Sequence, residues 1–314
     1  MDSIWKEKQL GLLGSSESIF KYIPDELGNI LYCDTNNSKD IPLSPQEAHK
    51  KKALGYGISL LLLIGYWSFF YEHYIWGIIL TLAILIFTFA FCDTTFVGTD
   101  YFVGEQGFAV VNFVDSRTNI TSKKIILFKD LSYLFTGETI KKMNYSYAGT
   151  DYYFALYKKL NSDGEHYDLA YNAIGSYSDK NPEDTMNPKG ASEEYCMLKK
   201  VEQVWTLFFF ESHKFDRELT FPMFKDNVIF SDALILNNNG VCVDGVRYNR
   251  ENTKRIYFSN GQLVIEHQNH SKQFFGLVEH GDISGIPLSE LGNRRAFLML
   301  FDKIYKSYPL AELI

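Results

Sequence analysis

Few residues in this chain are spaced for chemistry. His267 and His270 stand three apart near a predicted strand end. Two imidazoles at that spacing hold a metal only with further ligands close by, and none follows, so they read as residues of a solvated loop. Asp163-Gly164-Glu165-His166 sets carboxylates beside an imidazole, and a turn accounts for it without catalysis. Ser231-Asp232 and His213 lie in no context of the kind that presents a nucleophilic serine. Gly104-x-x-Gly107 lacks the full phosphate-loop pattern and opens no helix. Cys33, Cys92, Cys196 and Cys242 are scattered with no C-x-x-C pair. That argues against a metal cluster or a disulfide framework and fits a reducing compartment. No catalytic, cofactor-binding or metal-ligating set is assigned, no cofactor is expected, and the chain is not expected to be an enzyme.

The elements that carry these residues follow from composition and pattern. The 314-residue chain has room for two or three modules. Its 21 Tyr and 25 Phe favour packed sheet faces, and only 8 Pro argue against long disordered linkers. A formal net charge of −7 excludes a general nucleic-acid binder and whole-surface attraction to anionic lipid. The start, Met1-Asp2-Ser3-Ile4-Trp5-Lys6, is not a secretory signal.

Two uncharged runs predict a membrane hairpin. Ala53 to Tyr71 holds no charged residue and as a helix reaches roughly 28 Å, close to a hydrocarbon core. Ile75 to Cys92 is a second such run, separated from the first by Glu72, His73 and Tyr74 alone. His49-Lys50-Lys51-Lys52 precedes the first run and the connection carries no Lys or Arg. The positive-inside rule then places both termini in the cytoplasm. Aromatic residues from Tyr66 to Trp76 gather at the outer turn, where an interfacial belt belongs. Residues 53–92 are therefore expected to contact the lipid bilayer directly, as two transmembrane helices.

Residues 1–52 are read as a cytoplasmic segment too short for its own core, lying against the soluble region or mobile. After Asp93 the pattern alternates. Tyr101 to Val114 reads as a hairpin around Gly104-Glu105-Gln106-Gly107, and Lys124 to Phe128, Leu131 to Phe135, Asp151 to Tyr157 and Glu165 to Ile174 read as strands. Glu138 to Met143 is charged and edge-like. Leu198, Val201, Val204, Trp205 and Phe208 recur at helical spacing within Glu193 to Phe210. The order then repeats from Leu219, with an Asn260-Gly261 hairpin signature, a last strand over Phe274 to Val278 and a final helix capped by Asn293.

Short antiparallel strands closed by a helix, met twice, match a pleckstrin-homology (PH) pattern. The carrying residues are Gly107-Phe108-Ala109-Val110-Val111, Ile125 to Leu131 and Tyr147 to Tyr153 in the first half. In the second they are Asn239-Gly240-Val241, Thr253 to Ile265 and Asp282-Ile283-Ser284-Gly285-Ile286-Pro287. On these residues the chain resembles an uncharacterised family of membrane proteins with a two-helix transmembrane hairpin followed by tandem PH-like modules. The aromatic often found near Asn252-Thr253 is missing. The implied fold class is α+β, with an N-terminal segment (1–52), the hairpin (53–92) and PH-like modules over 93–216 and 217–314. Lipid-binding PH domains grip inositol phosphates with basic residues, so Lys123, Lys124, Lys141 and Lys142 are the candidate anion or lipid contacts. The expected function is a non-enzymatic membrane-anchored scaffold or sensor, its modules at the cytoplasmic face binding an unidentified protein partner before a lipid headgroup. The alternative is a membrane immunity or stress-response protein that neutralises a membrane-acting toxin.

Overall fold

The structure is a computed structural model and describes residues 9, 11–36, 45–69, 71–92, 97–159, 167–212, 218–225, 228–237, 240–243, 245–249, 251–269, 271–273, 278–280 and 283–304. His213, His270 and Asp163 to His166, singled out above, lie outside them, as does most of the expected Phe274 to Val278 strand. Two compact units emerge: Met1–Asp25 with Ile30–Phe102 and Ala109–Ile125, and Glu26–Asn29 with Val103–Phe108 and Ile126–Ile314.

The expectation of a two-helix transmembrane hairpin is corrected. Strand is the commonest state, taking 46% of the described residues. Helix α1 (Pro45–Phe69) and helix α2 (Tyr74–Cys92) are joined by a 3-10 turn, Tyr71–His73. Among the described residues one helix is long and apolar enough to cross a membrane, the 18-residue stretch Lys52–Phe69, while α2 contributes the shorter apolar stretch Tyr74–Ile84. At 1.5 Å per residue the first reaches about 27 Å, close to a hydrocarbon core. Absence of charge identified both runs but does not by itself make a helix a span. A count of two spans therefore no longer fixes the side on which the later residues lie. The helices do meet: Trp67 Nε1 donates to Thr81 Oγ1 at 3.0 Å. Gly77 is buried there, and a Cβ on it would stand 2.9 Å from Tyr66 Cε1 and Trp67 Cη2.

The first unit holds most of a four-stranded sheet in the order β1-β2-β3-β4, formed by Ile30–Thr35, Val97–Gly104, Gly107–Val114 and Ser116–Leu127. Its first strand comes from the segment expected to have no core of its own. Tyr32 and Cys33 of that strand are buried, and upstream Phe20 packs edge-on against Phe102 at 4.9 Å. Gly98 is required by packing, since a Cβ would sit 2.1 Å from the Phe113 ring.

In the second unit β5 (Tyr133–Met143), β6 (Ser146–Lys159) and β7 (Tyr167–Tyr177) form an antiparallel meander, and helix α3 (Glu193–Ser212) packs on it. Ser192 starts α3 by accepting the Tyr195 N–H on its hydroxyl at 3.2 Å, the arrangement that satisfies a first-turn donor. The order is repeated downstream. Strands β8 (Leu219–Lys225), β9 (Val228–Asn237), β10 (Gly240–Val243) and β11 (Val246–Tyr248) make a four-stranded sheet. Then β12 (Thr253–Ser259), β13 (Gln262–His267) and β16 (Ile283–Pro287) make a three-stranded one, with the short pair β14 (Ser271–Gln273) and β15 (Val278–His280) between, and helix α4 (Arg294–Ile304) follows. The β12–β13 turn is Asn260-Gly261, with φ of 48° and 71°, the left-handed pair that this dipeptide adopts readily. Phe297 and Phe301 of α4 fill the space between the sheets, against Phe221 at 5.3 Å and Phe258 at 4.9 Å.

Asn293 does more than precede a helix. It sits at φ 51° with its carbonyl accepting the Phe297 N–H at 3.1 Å. Its side chain is turned away from the helix: Oδ1 accepts the Leu134 N–H at 3.1 Å and the Trp205 Nε1–H at 2.9 Å. Its own N–H donates to the Leu134 carbonyl at 2.7 Å. Replacing Asn293 with Ala orphans two buried donors and forces a methyl-bearing residue into left-handed backbone. The expected loss of unfolding free energy is about 3 kcal/mol, read from urea titration by tryptophan fluorescence. Asn293→Gly should recover only the backbone part. A loss under about 0.5 kcal/mol for Asn293→Ala would remove this residue from its assigned role.

Candidate functional site

A network of ionisable side chains lies where α3 packs on β5, β6 and β7. Glu138 from β5 accepts Tyr195 Oη at 3.0 Å on Oε1 and Tyr177 Oη at 3.2 Å on Oε2. Lys199 bridges Glu138 at 3.4 Å and Glu202 at 3.2 Å. Glu202 in turn accepts the Thr136 hydroxyl at 3.1 Å. Residues 195, 199 and 202 fall on one face of α3 because their spacing repeats close to the helical turn. Tyr152 completes the wall, its ring 4.6 Å from Tyr195 and its hydroxyl 3.0 Å from Ser192 Oγ. Tyr171 closes the start of the helix by donating to Glu194.

Electrostatics fix the protonation of this group. Burial, and then the charge of Glu138, pushes Tyr177 up to about 12 and Tyr195 further in the same direction. Both phenols are therefore held protonated as donors to a carboxylate. Burial opposes the charge on Glu202, but Lys199 with Arg294 and Arg295 outweighs it and holds that carboxyl below its ordinary value. The result is a donor–acceptor network in which both phenols donate to Glu138 and Lys199 joins Glu138 to Glu202.

Two further buried carboxylates, Asp100 and Glu266, are each paired with an arginine. In the first unit Arg117 Nε lies 2.8 Å from Asp100 Oδ2, Nη2 donates to Thr35 Oγ1 at 2.9 Å, and the guanidinium stacks between Phe20 and Phe113 at 5.6 and 5.1 Å. Burial pushes the Asp100 carboxyl up while Arg117 pulls it back. Near them burial, and then Asp34 and Asp100, drives the Cys33 thiol up to about 12, which removes its nucleophilic thiolate. In the second unit buried Glu266 accepts Arg255 Nη2 at 2.6 Å and Tyr257 Oη at 2.9 Å.

The lysines assigned from the sequence are divided between elements. Lys123 and Lys124 lie on β4, in the first unit, and Lys141 and Lys142 on β5, in the second. Lys123 Nζ sits 3.5 Å over the Tyr22 ring, and Lys141 pairs with Asp151 at 2.7 Å. Lys142 is exposed. His267 meets Ser284 Oγ at 3.2 Å. Tyr177, Tyr195 and Glu202 carry no mark of their own in the sequence, and Lys199, beside Lys200, reads there as ordinary surface charge. The one local signal is the Lys-x-x-Glu step at 199–202, and that step also describes an ordinary solvated helix face. No protein family, curated protein or solved structure matches this chain.

The depressed Glu202 carboxyl gives a signed pH dependence. Its stabilisation is present above the unfolded-state value, near 4.5, and is lost as pH falls through the lower folded value. Lys199→Met leaves Glu202 buried beside fewer cations and should cost about 3 kcal/mol at pH 7 in urea unfolding. The difference from the parent should shrink below pH 4 as Glu202 takes up a proton. A Lys199→Met penalty that is constant from pH 7 to pH 3 would contradict the electrostatic assignment.

Proposed function

We propose that this protein is a non-enzymatic, membrane-anchored scaffold or sensor whose tandem PH-like modules present a surface to a protein partner, with lipid headgroups as lesser ligands. The observation that carries the reading is the apolar exposure of α1 and α2. Leu54, Ile58, Leu61, Leu62 and Phe69 on the first helix and Ile75, Trp76, Ile79 and Leu82 on the second face outward, Leu61 at 69% and Phe69 at 82% of full exposure. Contiguous apolar surface of this extent is unusual on a water-soluble monomer, and hydrocarbon covers it without loss. The Lys52–Phe69 stretch supplies an anchor that needs no headgroup affinity.

The scaffold half of the reading is supported by the repeated order of four-stranded sheet, three-stranded sheet and helix. It is supported also by the charge chemistry. The buried carboxylates Asp100, Glu202 and Glu266 each have a cationic partner. The phenols of Tyr152, Tyr153, Tyr157, Tyr177 and Tyr195 and the Cys33 thiol are pushed toward their protonated forms. Such groups stabilise a rigid surface. Division of the basic candidates between β4 and β5, two of them already engaged with Tyr22 and Asp151, favours protein contact over a headgroup grip.

Cell fractionation tests the anchor. The full chain should sediment with membranes and resist alkaline carbonate extraction. Ile58→Lys with Leu61→Lys should release it, because a lysine at the centre of a span is unfavourable by roughly 3 kcal/mol. Replacing Lys123, Lys124, Lys141 and Lys142 together with Gln should leave membrane retention unchanged. A parent chain that is monodisperse in the soluble fraction without detergent would end the membrane reading. Release by the four Gln substitutions would transfer the role to lipid headgroups.

A further inference from the structure

The outer edge of β5 is half used. Leu134 exchanges hydrogen bonds with Asn293, its N–H going to Oδ1 and its carbonyl receiving the Asn293 N–H. Its main-chain groups therefore face away from β6. Successive strand residues alternate in this direction, so Glu138, Ile140 and Lys142 face outward as well. The far end of the strand gives the same parity independently. Met143 and Ser146 close a two-residue turn, Asn144-Tyr145, with φ of 50° and 63°, and residues flanking such a turn bond to each other. Met143 thus faces β6 and Lys142 does not. The bulge between these points does not disturb the count, because its extra residue, Ala148, lies on β6. Glu138 to Met143 are all exposed, and β5 is an edge strand of its sheet. Among the described residues no hydrogen bond reaches the outward groups of Glu138, Ile140 or Lys142.

We propose that two copies of the chain pair antiparallel through this free half of β5, with Ile140 of each copy facing Ile140 of the other across a two-fold axis. An antiparallel pairing centred on Ile140 brings Glu138 of one copy, whose carboxylate also meets Lys199 of its own chain at 3.4 Å, opposite Lys142 of the other, twice. All these residues share one face of the strand and all have the required outward parity. The charges on the segment are thus complementary to its own reversed sequence, Glu-Thr-Ile-Lys-Lys, and Ile140, 59% exposed, finds an apolar partner at the axis. Lysines on an edge strand usually deter pairing with other chains, and here one of them selects a second copy. A two-fold contact of this kind is closed, so the assembly stops at a dimer. The pairing rests on β5 alone and is independent of the membrane reading.

The test uses the full chain in mild detergent, by size-exclusion chromatography with light scattering and by oxidative cross-linking. The parent should be a dimer at micromolar concentration. Ile140→Cys should form a disulfide-linked dimer, because facing residues of a bonded pair stand about 5.5 Å apart, within disulfide reach. Lys142→Cys should not cross-link to itself, since in this register the two copies of residue 142 are offset by roughly 13 Å along the strand. Lys142→Glu turns both charge pairs repulsive and should raise the dimer dissociation constant roughly tenfold or more, with Lys142→Arg close to the parent. A monomeric parent would overturn the proposal. So would a dimer whose strength is indifferent to Lys142→Glu and which cross-links no better through residue 140 than through residue 142. Neither outcome bears on carbonate extraction, which reads the anchor alone.

Discussion

Asn293 is the point at which three elements of the second unit are made to agree. Its amide oxygen takes one donor from β5 and one from α3, while its carbonyl begins α4. Both donors are buried, so each needs a partner, and a single side-chain oxygen with two lone pairs serves them. Asparagine tolerates the left-handed backbone that aims the amide this way. The preceding residue is equally constrained. A Cβ at Gly292 would stand 2.6 Å from Pro222 Cγ and 3.0 Å from the Phe135 ring, so the chain reaches β5 only through glycine. The Gly292 N–H donates to the Pro222 carbonyl at 2.8 Å, which fastens β8 to the same junction.

From that junction the rest of the unit follows. With α4 started and oriented, Phe297 and Phe301 enter the space between the β8–β11 and β12–β13–β16 sheets, and the aromatic core closes around them. On its other side Trp205 holds α3 over the meander, with Phe128 and Phe208 beside its ring. The polar network of Glu138, Tyr177, Tyr195, Lys199 and Glu202 then forms further along the same helix. On the outer edge of β5, Leu134 is satisfied by Asn293, while among the described residues no hydrogen bond reaches the outward groups of Glu138, Ile140 and Lys142. Apolar exposure is concentrated elsewhere, on α1 and α2.

Much of the local structure was legible in the sequence because its causes are local. Asn260-Gly261 forms the expected two-residue turn, the Glu105-Gln106 hairpin joins β2 to β3, and the spacing of Leu198, Val201 and Trp205 gives the buried face of α3. The failures share a different cause. Asn293 reads as an N-cap from its neighbours, but the groups that need its amide lie 159 residues away at Leu134 and on α3 at Trp205. Ile30 to Thr35 shows too short an alternation to announce a strand, and its pairing partner is β2, far along the chain. Glu138 looked like a surface charge on an edge, and its tyrosine donors come from β7 and α3. The transmembrane hairpin was overdrawn because an uncharged run specifies what a helix can face, not that it crosses a membrane.

The central claim is that Asn293 couples β5 and α3 to the sheets and helix downstream of them, so that residues on both sides of position 217 open together. Native-state hydrogen exchange of the full chain, followed by mass spectrometry across a series of urea concentrations, tests this directly. Peptides covering Leu134 to Gly137, Val201 to Phe209 and Leu263 to Glu266 should show one common opening free energy and one common urea dependence. If Leu263 to Glu266 exchanges through an opening that leaves Leu134 to Gly137 and Val201 to Phe209 protected, the coupling is absent and the two assemblies are independent.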